Sequence, residues 1–231
     1  KHCYGLKIYE VNSNEKLYSI LYAVLLICVI GTVIFLILSP DRIPVHYNFA
    51  GEVDRIGSKY ENLIWPGFAI GMGVFFLLMA RIPRKKGEKT NEKVLMIAGV
   101  CTLVFFTLLG FYFMLKALRY DPQAASQVSY DDVNRFVSIG IGALLVVLGN
   151  IMPKMRRNAL FGLRTKWSMA NDNVWQKSQR FGGIASVIAG FIMIILALFV
   201  PGIWNVVMMT IVIVIWLILC IVASHRYYLA D

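Results

Sequence analysis

The sequence predicts an all-α integral membrane protein with six transmembrane helices and both termini in the cytoplasm. Three observations carry that expectation. Of the 231 residues, 58% are hydrophobic and 16% charged, against about 45–50% and about 25% in soluble domains. Six apolar runs reach the length of about 20 residues that a helix needs to cross the hydrocarbon core. Lys and Arg are spread unevenly over the segments between those runs, which fixes an orientation.

The runs are Leu17–Leu38, Leu63–Ala80, Val94–Leu115, Phe136–Met152, Ile184–Val200 and Trp204–Ser224, and none contains Asp, Glu, Lys, Arg or His. One set of flanks comprises the N-terminal tail, the loops after the second and fourth runs, and the C-terminal tail. It carries 17 Lys and Arg; the other set carries 6, at Arg42, Arg55, Lys59, Lys116, Arg119 and Arg135. The basic side is the cytoplasmic one. The net charge of +10 is therefore read as topology, with membrane lipids as the partner of the basic loops and no direct nucleic-acid binding.

In chain order, 1–16 reads as a cytoplasmic tail and 17–80 as a first helix pair around an extracellular loop, 39–62. Residues 81–135 hold a basic cytoplasmic loop, the third helix and an outer loop. Residues 136–231 hold the last three helices and a cytoplasmic motif loop, 153–183. No loop is long enough for a separate domain. The first run has no small-residue cleavage site before its loop, so it reads as a span and not as a signal peptide. The chain starts at Lys1 rather than Met, which leaves the natural start open. Trp65, Trp204, Tyr112 and Tyr227 fall near span ends, where aromatic rings prefer the interface. Gly67 with Gly71, and Ser186 with Gly190, have the spacing of close helix contacts. Cys28, Cys101 and Cys220 lie in apolar runs and Cys3 near the start, without CxxC or Cys/His ligand spacing. They read as packing residues, with no disulfide framework, zinc site or other cofactor.

Two loops carry pattern. The first reads SPDRIPVHYNFAGEVDRIGSKYEN. Pro40, Pro44, Gly51 and Gly57 mark turns, so a compact cap without long helix is expected. In it Asn48 and Asp54 bond local backbone, and Tyr47 and Phe49 pack on the helix ends. His46, Glu52 and Asp54 are metal-capable types, but their spacing matches no ligand motif. His46 could instead make the cap pH-sensitive.

The second patterned stretch, Gly149–Gly183, reads GNIMPKMRRNALFGLRTKWSMANDNVWQKSQRFGG. It holds seven basic residues and one acidic residue, Asp172. Pro153 ends the fourth helix. Lys154–Ser168 reads as irregular or extended, with a turn at Gly162. Asn171 or Asp172 can cap a new helix, in which Val174, Trp175, Ser178 and Phe181 recur at helical spacing beside Lys177 and Arg180. That pattern suits a membrane-surface anchor or a docking surface for a cytoplasmic partner.

These two stretches resemble known groups. IPVHYNFAGEVDRIGSK is similar to a short domain of unknown function found near the N-terminus of many bacterial membrane proteins. The Gly149–Gly183 stretch resembles the signature of the SdpI family, named for the immunity protein against a sporulation-delaying peptide toxin. The resemblance rests on Gly149–Asn150, the Asn158–Gly162–Arg164–Thr165 run, Trp167, Trp175 and Gly182–Gly183. It implies immunity to a secreted, membrane-active peptide toxin in the bacterial plasma membrane. It also implies relay of the toxin's presence by holding a cytoplasmic repressor at the membrane. Asn158, Gly162, Arg164, Thr165, Trp167, Trp175 and Arg180 are then the candidate partner surface. His46, Asn48, Gly51 and Asp54 are the candidate sensing loop, since a secreted peptide arrives from outside. Two departures stand out: the extension Lys1–Lys16, and Gln179 where histidine or asparagine is common.

Other function classes fare worse. A transporter or channel is the alternative, yet ion-coupled transporters carry ionisable groups inside the bilayer and the six runs have none. Pro66–Gly67, the one interruption, lies at a span end. An enzyme is not expected: the chain has no HExxH or GxSxG motif and no aspartyl pair in the spans.

Overall fold

A computed structural model describes residues 2–48, 52–120, 131–158 and 160–231, with backbone alone for 2–13, 131 and 132. Its elements are α1 (His2–Leu38), β1 (Arg42–Tyr47), β2 (Val53–Ser58), α2 (Ile64–Lys85), α3 (Lys89–Leu118), α4 (Asp131–Ile151), α5 (Asp172–Phe199) and α6 (Gly202–Leu229). All six helices are long and apolar enough to cross a membrane. Their outer faces carry exposed apolar side chains, such as Ile211, Ile215, Ile218 and Val222 on α6. Apolar surface of this extent, on helices of spanning length, suits a lipid surround. The protein is a multi-pass membrane protein.

The helices outrun the apolar runs. α2 continues through Arg81 and Arg84 to Lys85, and α3 starts at Lys89. The basic second loop is thus mostly helix end. Lys, Arg and Glu are good helix formers, and their long stems lie along apolar surface while the charges reach water. Gly87, at φ +71°, supplies the left-handed residue that closes α2.

The chain divides into two compact units: Lys1–Val45 with Gly57–Arg119, and His46–Ile56 with Tyr120–Asp231. The first packs α1, α2 and α3. Leu21, Cys28 and Thr32 of α1, Phe76 of α2, and Met96 and Leu103 of α3 are buried in it. At one end Phe35, Ile43, Met114 and Ala117 form a cluster flanked by Trp65 and Phe111. At the other, Glu92 is 5% exposed and accepts a hydrogen bond from Tyr18 Oη at 2.9 Å. It lies just before the apolar run of α3.

The first loop departs from expectation. It forms a two-stranded hairpin, β1–β2, so the fold is mostly rather than wholly helical. Ile43 sits in the cluster with Val45 packed against it, and β-branched Ile43, Val45, Val53 and Ile56 suit an extended backbone. Lys59 N–H donates to Asp41 O at 3.1 Å at the base, and Asn48 N–H to Glu52 O at 2.9 Å towards the tip. A capping box between Ser58 and Glu61 then starts the 3-10 turn Lys59–Leu63 that leads into α2.

The second unit is built on α4 against α5. A Cβ on Gly149 would lie 2.6 Å from Gly183 O, and one on Gly183 would lie 2.6 Å from Gly149 O. Two turns away, Gly142 and Gly190 meet in the same way. Residues seven apart share a helix face, so four glycines bring the two backbones into contact. Ser186, of the expected small pair with Gly190, donates to Gly182 O at 2.7 Å and accepts from Trp216 Nε1 at 3.1 Å, which ties in α6. The other expected pair behaves differently: nothing lies within 4 Å of a Cβ on Gly67 or Gly71. Where α5 turns into α6, buried Asn205 accepts from Ser138 Oγ and donates to Val200 O at 3.1 Å.

Candidate functional site

The motif stretch is folded onto the ends of α5 and α6 by its own side chains. α4 ends at Ile151 in a 3-10 turn, Met152–Lys154, around Pro153. The chain then runs without regular structure to a turn over 166–169. Asn158 organises the first bend. Its side-chain oxygen accepts from Leu160 N–H at 2.8 Å and Phe161 N–H at 2.9 Å, and its amide donates to Arg156 O at 2.8 Å. Such an Asx turn is why asparagine suits this position. Gly162 follows at φ +108°, where other residues are strained; a Cβ there would also lie 2.7 Å from Gln179 Oε1.

Gln179 is the central peg. It is completely buried. Its Oε1 accepts from Leu163 N–H and its Nε2 donates to Leu163 O, both at 2.9 Å. One α5 side chain thus satisfies both polar groups of an irregular backbone residue. Thr165 and Ser168 close the next turn reciprocally: Thr165 N–H donates to Ser168 Oγ at 2.9 Å, and Ser168 N–H to Thr165 Oγ1 at 3.0 Å. Thr165 Oγ1 also lies 2.9 Å from Ser224 Oγ on α6, and Trp167 rests on His225 with centroids 4.5 Å apart.

The start of α5 is equally anchored. Asn171 is its N-cap, accepting from Val174 N–H at 2.9 Å. Arg157 Nε pairs with Asp172 at 2.8 Å, and Arg157 also donates to Met169 O and Ala170 O. The Asp231 carboxylate accepts from Asn171 Nδ2 at 2.7 Å and from Asn173 Nδ2. Trp175 is 1% exposed and donates Nε1–H to Met155 O at 2.9 Å.

This geometry sorts the sequence candidates. Asn158, Gly162 and Thr165 shape the loop, and Trp175 is interior. Trp175 therefore does not face a partner or the membrane surface, because its indole N–H finds a buried backbone acceptor inside the unit. Arg164 and Arg180 are exposed, as is Lys166, whose ammonium lies 5.3 Å from the Trp167 ring centre. Half-buried Trp167, its ring against His225, leaves part of its surface beside them. Gln179, Ser168, Ser224 and Met155 were not predicted; the Thr-x-x-Ser spacing of 165 and 168 was the one local signal.

In the hairpin His46 Nδ1 lies 2.6 Å from Asp54 Oδ1, so Asp54 bonds a ring nitrogen and not the backbone. Asn48 pairs with Glu52 through side chain and backbone. Gly51 and Phe49 lie outside the described residues. Burial, and next to it the nearby Tyr120, push the Tyr47 phenol up to about 12. Among the described residues no three His, Cys, Asp or Glu side chains gather to hold a metal ion. Cys28, Cys101 and Cys220 are unbridged.

Residues 154–224 match the SdpI/YfhL protein family. This stretch is thus similar to that family over its motif loop and the two helices that follow. Residues 23–70 match a domain of unknown function, DUF1648, which spans the C-terminal part of α1, the hairpin and the start of α2. The chain is also 25% identical to the immunity protein SdpI of Bacillus subtilis (strain 168) over 189 residues, 82% of this chain and 84% of that protein. No solved structure matches it. The matched region therefore takes in the folded loop, all of α5 and most of α6, including Gln179 and Ser224.

Proposed function

We propose that this protein confers immunity to a secreted, membrane-active peptide toxin in the bacterial plasma membrane. In the same reading it relays the toxin's presence by holding a cytoplasmic repressor at the membrane. The observation that carries the proposal is the likeness to the B. subtilis immunity protein along most of both chains. The excess of Lys and Arg supports a cytoplasmic motif loop and an external hairpin.

The second unit holds both candidate surfaces. The hairpin end His46–Ile56 groups with α4–α6, and Tyr47 lies near Tyr120, ahead of α4. The motif loop follows the other end of α4, about 30 Å away for a helix of 21 residues. Toxin contact begins at the hairpin or along the spans, and the exposed Arg164, Lys166 and Arg180, with half-buried Trp167, receive the repressor. A cation-rich patch beside an aromatic ring suits an acidic partner surface.

Deleting the gene and exposing the cells to their own secreted peptides tests the proposal. Heightened sensitivity, together with lost induction of the protein's own operon, is the expected result. Unchanged sensitivity and unchanged expression would remove it.

A further inference from the structure

A cavity of about 320 Å³ opens between α1 and α2, lined by Glu15, Tyr18, Tyr22, Leu77, Arg81 and Arg84. It lies outside both matched regions, 23–70 and 154–224, and the proposed function makes no use of it. Its volume is at the small end of ligand pockets.

The lining is graded along the helix axes. Leu77 precedes Arg81 by one turn and Arg84 by two on α2. On α1, Tyr22, Tyr18 and Glu15 succeed one another by about a turn in the matching direction. The walls pass from apolar through phenolic to charged, the order met along a phospholipid from acyl chain to headgroup. Basic pockets between membrane helices at the cytoplasmic face take lipid headgroups, and the Lys and Arg count puts this end there.

The floor is fixed. Buried Glu92 accepts from Tyr18 Oη at 2.9 Å and lies 3.9 Å from Arg84 Nε, and the Arg84 guanidinium sits 5.5 Å from the Tyr18 ring centre. Arg81 is exposed at the mouth, and Glu15 is exposed on the opposite wall. A ligand that satisfies both must present an anion to the arginines and a cation that can donate to Glu15.

We infer that this pocket binds the headgroup of phosphatidylethanolamine, its phosphate on Arg81 and Arg84 and its ammonium on Glu15. Free phosphate or an anionic glycerol headgroup would leave Glu15 facing negative charge. A choline headgroup has no N–H to donate.

Native mass spectrometry of the full chain, released from vesicles of equal phosphatidylethanolamine and phosphatidylglycerol, tests this. The wild-type protein should retain phosphatidylethanolamine in excess. Arg81→Gln should lower retention of both lipids about fivefold, the effect of one cation at a membrane surface. Glu15→Gln should bring the two lipids level. Arg84 is left intact because it neighbours buried Glu92, and equal melting temperatures certify that the variants fold. Equal retention of the two lipids by the wild-type protein would overturn the assignment, as would unchanged binding in Arg81→Gln. Capture of added inorganic phosphate without lipid would assign the arginines to a free anion and also overturn it.

Discussion

Replacing Gln179 by leucine tests how the motif loop is held. Leucine keeps roughly the same volume on α5 but removes both hydrogen bonds to Leu163. The two losses are unequal. Leu163 O still accepts from Ser168 Oγ at 2.7 Å, so that bond costs about 1 kcal/mol or less. Leu163 N–H is left without its partner, which costs about 1–3 kcal/mol for a buried donor; Leu163 is half-buried, so the low end applies. The total is about 2 kcal/mol, which multiplies the open population of the loop about 25-fold. Trypsin cutting after Arg164 and Lys166 reads that population when opening and closing are faster than cleavage. Cleavage in detergent or nanodiscs should accelerate by about that factor in Gln179→Leu. The exposed neighbour change Gln176→Leu should leave it unchanged. An acceleration of less than about threefold in Gln179→Leu would mean that Gln179 does not hold the loop.

Two further outcomes follow from the same structure. Gly149→Ala sets a Cβ 2.6 Å from a backbone oxygen that cannot rotate away, so α4 and α5 must separate at a cost of about 1–3 kcal/mol; Gly71→Ala meets nothing within 4 Å and should leave thermal unfolding within about 0.5 kcal/mol of wild type. For Tyr47, the phenolate absorbance of wild type minus Tyr47→Phe should titrate near pH 12 in the folded protein, and near 10 after denaturation. Because the folded value is the higher one, this phenol's contribution to stability is complete below about pH 10 and is lost as pH rises towards 12.

The six spans were legible because hydrocarbon imposes a length and an apolar content that few soluble segments meet. Their ends were not: Arg81, Arg84, Lys89 and Lys93 are helical here but read as loop, since charge marks where the membrane stops and not where the helix does. The hairpin was hidden by the turn residues Pro40, Pro44, Gly51 and Gly57, which outweigh four β-branched positions. Glycine spacing misled in a related way. Gly67 and Gly71 present the familiar short pair yet touch nothing, while Gly142 and Gly149 meet Gly190 and Gly183 at twice a helical turn, and no sequence says which face has a neighbour.

In the motif, residue types that act on adjacent backbone were readable. Asn158, Gly162 and the Asn171 cap fall in this class, because their partners lie within a few positions. Gln179 acts across 16 positions on a backbone group, and backbone groups leave no trace in the residue pattern. Trp175 looked like a surface anchor for the same reason: the carbonyl of Met155 that receives its N–H is invisible in the sequence.

The most direct test of the account separates the two sides of the membrane. Arg164→Ala with Trp167→Ala removes outward-facing groups while sparing Asn158, Thr165, Gln179 and the α4–α5 contact. Toxin survival and an operon reporter should be read in the same cells, at equal membrane levels of the protein. The account predicts full protection with the reporter no longer induced. Loss of both, or retention of both, would contradict the assignment of the motif loop as the output surface.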